Sequence, residues 1–122
     1  MTKPTVFPSL KYANAQAALE FLQAAFGAYE HAVHRGDSGR IVHAEVSFGN
    51  GIVMFGTASN GAATHGDVYI AVEDPDALYE QARAAGAEIV RDLSETEYGS
   101  REFGAKDPEG NAWYFGTYQP FD

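Results

Sequence analysis

Apolar residues recur with helical spacing in two segments of the chain, residues 14–30 ("NAQAALEFLQAAFGAYE") and 74–89 ("DPDALYEQARAAGAEI"). In the first, apolar side chains three or four positions apart predict one buried helical face. Each segment begins with a residue type that caps helix N-termini, and each contains a glycine near its end, a residue suited to helix termination. Because Leu19 and Leu78 are 59 positions apart, as are Gly27 and Gly86, the two helices are predicted to be repeats.

Strand-like stretches flank both helices in the same order. A stretch precedes each helix ("VFPSLKY" and "DVYIAV"), and several follow, ending in "GIVMFG" (51–56) and "NAWYFG" (111–116), 60 positions apart. Each half therefore reads β-α-β-β-β. We predict a single domain over residues 1–122, with module one at about 1–57, a small-residue linker at about 58–66 and module two at about 67–122. Because one such unit would leave a sheet face bare, the modules are expected to pack together.

Alternation along the strands predicts which side chains face the core and which face a cleft. The expected core positions are Val42, Ala44, Val46, Phe48, Val68, Ile70, Val72, Phe103, Ala105, Trp113 and Phe115. The expected cleft positions are Ile41, His43, Glu45, Ser47, Asp67, Tyr69, Ser100, Glu102, Tyr114 and Tyr118. Arg101 shares the core parity and is expected at an edge, and His31 and His34 are expected at the surface or at an edge.

Composition narrows the classes of partner. The net charge of −9 and a pI near 4.7 argue against nucleic acid, whose phosphates would be repelled, and are compatible with a cationic ligand. No apolar run approaches the roughly 20 residues that span a bilayer. The opening stretch "MTKPTVFP" has no signal-peptide apolar region, so we expect a cytoplasmic protein. The absence of cysteine excludes disulfides, zinc–thiolate sites and thiol catalysis.

The paired modules resemble the vicinal oxygen chelate superfamily, and "SREF" followed in register by "DPEGN" resembles its glyoxalase and bleomycin-resistance-like branch. The resemblance implies an α+β fold in which two tandem βαβββ modules form a curved mixed sheet around a ligand cleft. It also implies a homodimer, in some members formed by exchanging modules.

Metal-dependent members of this superfamily bind their ion through histidine or glutamate on the first and last strand of each module. The corresponding positions here are Phe7, Met54, Asp67 and Tyr114. Only the aspartate is a good ligand for the divalent ions concerned. We therefore expect neither the family's metal site nor another cofactor. A relocated metal site at His43 and Glu45, joined by His65 or Asp67, is the alternative.

Two functions are compatible with these residues. The first is the binding of a small cationic or aromatic ligand without catalysis, as the resemblance to bleomycin-resistance proteins implies, with antibiotic resistance as a role that would fit. The expected ligand-binding residues are Phe7, His43, Glu45, Met54, Asp67, Tyr69, Glu102, Tyr114 and Tyr118. The second is a glyoxalase-type lyase or isomerase that uses His43 and Glu45 as an acid–base pair or as metal ligands. A purely structural or partner-binding role has no sequence feature of its own.

Overall fold

The structure is a computed structural model of the chain, and it describes residues 3–59, 63 and 65–122. Both predicted helices form, α1 over Ala15–Phe26 and α2 over Pro75–Ala84. The side chain of Asn14 accepts a hydrogen bond from the backbone N–H of Ala17, and that of Asp74 accepts one from Ala77. These bonds satisfy N–H groups that have no partner within the helix, which is why each helix begins where it does.

In the part of the chain that the structure describes, eight strands form two four-stranded mixed sheets of identical topology. The strands of module one are β1 (Ser9–Tyr12), β2 (Tyr29–Arg35), β3 (Ile41–Phe48) and β4 (Gly51–Thr57). Those of module two are β5 (Asp67–Ala71), β6 (Glu88–Glu95), β7 (Arg101–Lys106) and β8 (Ala112–Gly116). The strand orders are β1-β4-β3-β2 and β5-β8-β7-β6, and only the first pair in each sheet is parallel. The prediction of two tandem βαβββ modules in an α+β fold is confirmed.

One hydrophobic core joins the two modules. The ring of Phe26 on α1 lies 5.6 Å from that of Trp113 and 4.9 Å from that of Phe115, both on β8. Phe48 on β3 also contacts Trp113, at 5.7 Å between ring centroids. The inner faces of the two sheets therefore contribute to one shared core, and their outer faces point away from it.

A buried carboxylate in the β7–β8 turn connects the modules. Asp107 accepts hydrogen bonds from the Tyr12 hydroxyl of β1 at 2.6 Å and from Trp113 Nε1 at 3.0 Å. The side-chain amide of Asn111 and the backbone N–H groups of Glu109 and Asn111 also donate to it. Burial is the main cause that raises the pKa of Tyr12 far above its ordinary value, and the hydrogen bond to Asp107 is the second cause. The hydroxyl therefore stays protonated and donates.

The same turn also holds the entry to α1. The Glu109 carboxylate accepts the backbone N–H of Ala13 at 2.7 Å and that of Asn14 at 2.8 Å. The "DPEGN" segment is thus more than a turn before the last strand, because its two acidic residues attach module two to β1 and to the start of α1.

The face prediction was wrong at the start of β3. Ile41 lies in the core and Val42 is 56% exposed, the reverse of the expected parity. The cause is a register shift in the pairing with β2, where His34 pairs with His43 but Arg35 pairs with Ile41. Such a bulge inserts one residue and so reverses the alternation on one side of it. The predicted core residues Trp113 and Phe115 are fully buried.

Arg101 reaches out to the side of the sheet and forms a two-bond ion pair with Asp76 of α2, at 2.7 and 3.0 Å. The predicted linker, residues 58–66, falls partly outside the described residues. Within the described ranges, no helix is long and apolar enough to cross a membrane.

Replacing Tyr12 with phenylalanine should lower the free energy of unfolding by about 2 kcal/mol, because a buried hydrogen bond to a charged acceptor is lost. Urea denaturation followed by tryptophan fluorescence measures the difference, since Trp113 shares the same carboxylate.

Tyr79→Phe is the matched control. The Tyr79 hydroxyl also donates to an aspartate, Asp92, at 3.2 Å, but on the exposed surface and within module two. Its loss should change stability by less than about 0.5 kcal/mol. Equal effects of the two substitutions would contradict a connecting role for Asp107.

Candidate functional site

An open depression of about 490 Å³ lies on the outer face of the module-two sheet. Four tyrosines and three charged residues line it: Asp67, Tyr69, Arg91, Tyr98, Glu102, Tyr114 and Tyr118. Five of these seven are predicted cleft residues, and the strands β5, β7 and β8 supply four of those five.

Two glycines make room for the large side chains of this surface. Tyr114 is paired with Tyr69 on one side and with Gly104 on the other. Its ring lies over Gly104, where an added Cβ would be 2.6 Å from the ring. At Gly116 a Cβ would clash with the Glu102 side chain and lie 2.9 Å from the Tyr69 hydroxyl. The absence of side chains at these two positions lets the tyrosines and the glutamate lie across the sheet.

Glu102 is the buried charge of the depression, with only 3% of its surface exposed. The Tyr98 hydroxyl lies 2.9 Å from each of its carboxylate oxygens, and Arg91 Nη1 lies 3.3 Å from one of them. A buried carboxylate requires such donors, because removing an ion from water is costly.

The tyrosine rings contact one another at the rim. The Tyr69 hydroxyl donates to the carbonyl of Tyr118 at 2.7 Å, and the backbone N–H of Tyr118 donates to Ser100 Oγ at 3.0 Å. The Tyr118 ring lies 6.4 Å from that of Tyr69 and 6.0 Å from that of Tyr98. Burial raises the pKa of Tyr69, and the negative charge of Glu102 adds to the rise, so this hydroxyl is neutral at pH 7.

A second polar cluster occupies the outer face of the module-one sheet. His43 Nε2 lies 2.9 Å from Glu45 Oε2, and His31 Nε2 lies 3.8 Å from Glu45 Oε1. The ring of His34 is 6.0 Å from that of His43, and Met54 is paired directly with Glu45 across β3 and β4. The hydrogen bond from His43, followed by the positive charge of the nearby histidines, lowers the pKa of Glu45. The prediction that His31 and His34 are surface residues is correct, but a register shift in β2 next to His31 brings that ring to the carboxylate.

The positions that bind metal in metal-dependent members do not fit a metal ion here. Met54 lies in module one, and Asp67 and Tyr114 lie in the module-two depression. Phe7 precedes β1 and is partly exposed, and its side chain has no donor atom. Asp67 is then the one strong donor of the four. Across residues 3–59, 63 and 65–122, no three histidine or acidic side chains converge in an arrangement that could hold a metal.

The predicted ligand-binding residues, apart from Phe7 before β1, thus fall into two groups. Asp67, Tyr69, Glu102, Tyr114 and Tyr118 share the depression. His43, Glu45 and Met54 share the outer face of the module-one sheet. Because the inner faces of the two sheets meet in one core, a single chain does not bring these groups together.

Sequence reasoning missed two residues of the depression, Arg91 and Tyr98. Arg91 lies on β6 between two irregularities of its pairing with β7, so simple alternation does not predict its direction. Tyr98 lies in the turn before β7, where no periodicity applies. The one feature of the sequence that could have indicated Tyr98 is its position four residues before Glu102. At that spacing a side chain in the turn can contact a side chain on the strand that follows.

Comparison with known proteins identifies the family. The family model of the Glyoxalase/Bleomycin resistance protein/Dioxygenase superfamily matches residues 9–115. This range begins with β1 and ends one residue before the end of β8. The chain belongs to this superfamily. The resemblance inferred from the two modules and the "DPEGN" turn is therefore confirmed.

Individual relatives agree with this assignment to the superfamily. TioX from Micromonospora sp. ML1 is 28% identical, with a TM-score of 0.85 over 95% of this chain and 99% of TioX. An uncharacterized protein of Mycobacterium tuberculosis is 28% identical over 93% of this chain and 74% of its own length. A mutant of glyoxalase I from Zea mays is 17% identical with a TM-score of 0.79, over 96% of this chain and 45% of that protein. At that identity the maize enzyme shows a shared fold alone.

Replacing Gly116 with alanine should lower the free energy of unfolding by about 1–3 kcal/mol, the usual range for overpacking. The added methyl group would displace Glu102 and the Tyr69 hydroxyl, so the tyrosine side-chain NMR signals of the depression should shift as well. Urea denaturation and NMR spectra measure the two effects.

Gly66→Ala is the control, because a Cβ at Gly66 would meet no atom within 4 Å. It should leave both the stability and the tyrosine signals close to those of the wild type. If Gly116→Ala behaved like Gly66→Ala, the tight approach of Glu102 to the strand would be disproved.

Proposed function

We propose that this superfamily member binds a small, flat organic ligand in the tyrosine-lined depression and does not use the superfamily's metal. The position of Tyr114 is the observation that carries the proposal. Its ring lies across Gly104, paired with Tyr69, at the position where metal-dependent relatives have a ligand carboxylate.

Flat ring surfaces suit the tyrosine wall. Tyr69, Tyr98 and Tyr118 are each more than a third exposed, so their rings are available to a ligand. A favourably placed aromatic pair contributes about 0.5–1.5 kcal/mol beyond the burial of its surface. Several such contacts, with polar anchoring from Glu102 and Asp67, are sufficient for specific binding.

The proposal includes a homodimer. Ligand sites typically bury about 70–90% of a small ligand, whereas a depression open on one side covers less. The outer face of module one, with His43, Glu45 and Met54, would supply the opposite wall if it came from a second copy. Val6, Phe7 and Phe121 are exposed apolar side chains near the chain ends and would suit the contact between copies. Sequestration of a toxic compound in the cytoplasm is the biological role that this arrangement would fit.

A flat probe such as acridine or 2-naphthol should bind saturably, as measured by fluorescence titration. Tyr114→Leu should weaken binding at least about tenfold, the equivalent of 1.4 kcal/mol, because the flat ring is lost. Tyr114→Phe keeps the ring and should bind as the wild type does.

Sedimentation velocity on the same samples should show a dimer. The proposal would be abandoned if no flat probe saturated the protein, or if Tyr114→Leu bound the probe as tightly as Tyr114→Phe. If the protein bound the probe as a monomer, only the proposal of a cleft formed between two copies would be rejected.

Glyoxalase-type acid–base chemistry is the second candidate, and the 2.9 Å contact between His43 and Glu45 favours it. A histidine whose ordinary pKa is near 6.5 can exchange protons at neutral pH. The neighbouring carboxylate would orient the ring.

Calorimetric titration with nickel, zinc or manganese separates the metal-dependent form of this candidate from the others. If it is correct, one ion should bind per chain, and His43→Ala or Glu45→Gln should abolish the heat of binding. An absence of binding in the wild type would dismiss the metal form. Loss of turnover in His43→Ala would then be required to support an enzyme without metal.

A further inference from the structure

Three rings of the depression meet at steep angles. The Tyr118 ring is inclined at 59° to that of Tyr69 and at 84° to that of Tyr98. Tyr69, Tyr118 and Tyr98 are 38%, 49% and 62% exposed. Neither contact is a face-to-face stack, so each ring leaves part of its electron-rich face uncovered. A corner of aromatic faces is the type of surface that attracts a cation.

One of the two carboxylates at the depression has no cationic side chain paired with it in the described part of the chain. Glu102 is paired with Arg91, whose guanidinium lies 3.3 Å away. Asp67 lines the same depression, and its carboxylate forms no hydrogen bond or ion pair with any residue in the described part of the chain. The three charged groups therefore carry a net charge of −1, in a chain whose overall net charge is −9.

We infer that the depression selects ligands carrying a tertiary or quaternary ammonium group, held against Tyr69, Tyr98 and Tyr118 and attracted by Asp67, and that Arg91 limits their affinity. This inference rests on the proposed ligand-binding function and specifies the chemical class of the ligand. Methylated ammonium groups suit the site because they have a diffuse charge and an apolar surface, and so lose little on leaving water for aromatic contacts.

An anionic ligand is disfavoured by the same groups. Among the described residues that line the depression, Arg91 is the one cation, and Glu102 already engages it. An anion would have to compete with this buried carboxylate and would also meet Asp67 and the electron-rich ring faces.

Arg91 has a defined role in this scheme. Its side chain is 43% exposed whereas that of Glu102 is 4% exposed, so the arginine extends from β6 and neutralises a carboxylate at the floor of the depression. Removing the guanidinium would leave the charge of Glu102 to act on the ligand. Loss of Arg91 should thus increase the affinity for a cation, an outcome that no merely structural role predicts.

Choline and 3,3-dimethylbutan-1-ol provide the test, because they have the same shape and differ in the charge of the head group. NMR titration of the full chain, followed through the tyrosine side-chain signals, should show choline binding at least about tenfold more tightly, a ratio equivalent to 1.4 kcal/mol. The shifted signals should be those of Tyr69, Tyr98 and Tyr118.

Charge variants test the assigned roles. Asp67→Asn should weaken choline binding several-fold and leave the binding of the neutral alcohol unchanged. Arg91→Met should strengthen choline binding, and Glu102→Gln should cancel that gain when the two are combined. Asp37→Asn, in the β2–β3 turn of module one, makes the same change in net charge and should have no effect.

Equal affinities for choline and its neutral analogue would overturn the ammonium assignment, and so would weaker choline binding by Arg91→Met. If neither compound shifted the tyrosine signals, the assignment would also fail. The titrations with acridine and 2-naphthol judge the proposed function separately. Binding of these flat probes without selectivity for choline would preserve that function and reject only the ammonium class.

Discussion

The buried carboxylate of Asp107 is the interaction on which the arrangement of the two modules depends. Five donor groups from the described residues surround it, and they come from β1, from the turn itself and from β8. A carboxylate can be buried at low cost only when such donors satisfy it. Forming this cluster therefore requires β1 of module one and the β7–β8 turn of module two to lie together, and Glu109 adds the start of α1 to the same assembly.

The strand that leaves this turn carries both the core and the candidate site. On one face of β8, Trp113 and Phe115 pack against Phe26 of the other module. On the other face, Tyr114 lies across Gly104. Because side chains alternate along a strand, fixing the inner face against the core also fixes the outer tyrosine. The position of the candidate ligand-binding surface is thus tied to the packing between modules.

The shared core also explains why the two polar surfaces are separate. The inner faces of both sheets are used in packing, so the His43–Glu45 pair and the tyrosine depression lie on the outer faces of two different sheets. In the proposed function a second copy unites them. Arg91 neutralises the buried Glu102. In the inferred ammonium site, Asp67 is then the carboxylate that attracts the cation.

The repeat and the strand periodicity were sufficient to predict the two modules, both helices and the faces of Tyr69, Trp113 and Tyr114, because these depend on local backbone geometry. The same reasoning failed at Ile41 and could not predict Arg91, since register shifts break the alternation and leave no mark in the residue types. Tertiary structure alone decided that the predicted cleft residues divide into two groups on the outer faces of two different sheets. Which sheet face packs against which is set by contacts between residues far apart in the chain, such as Tyr12 with Asp107, and local patterns carry no record of such contacts.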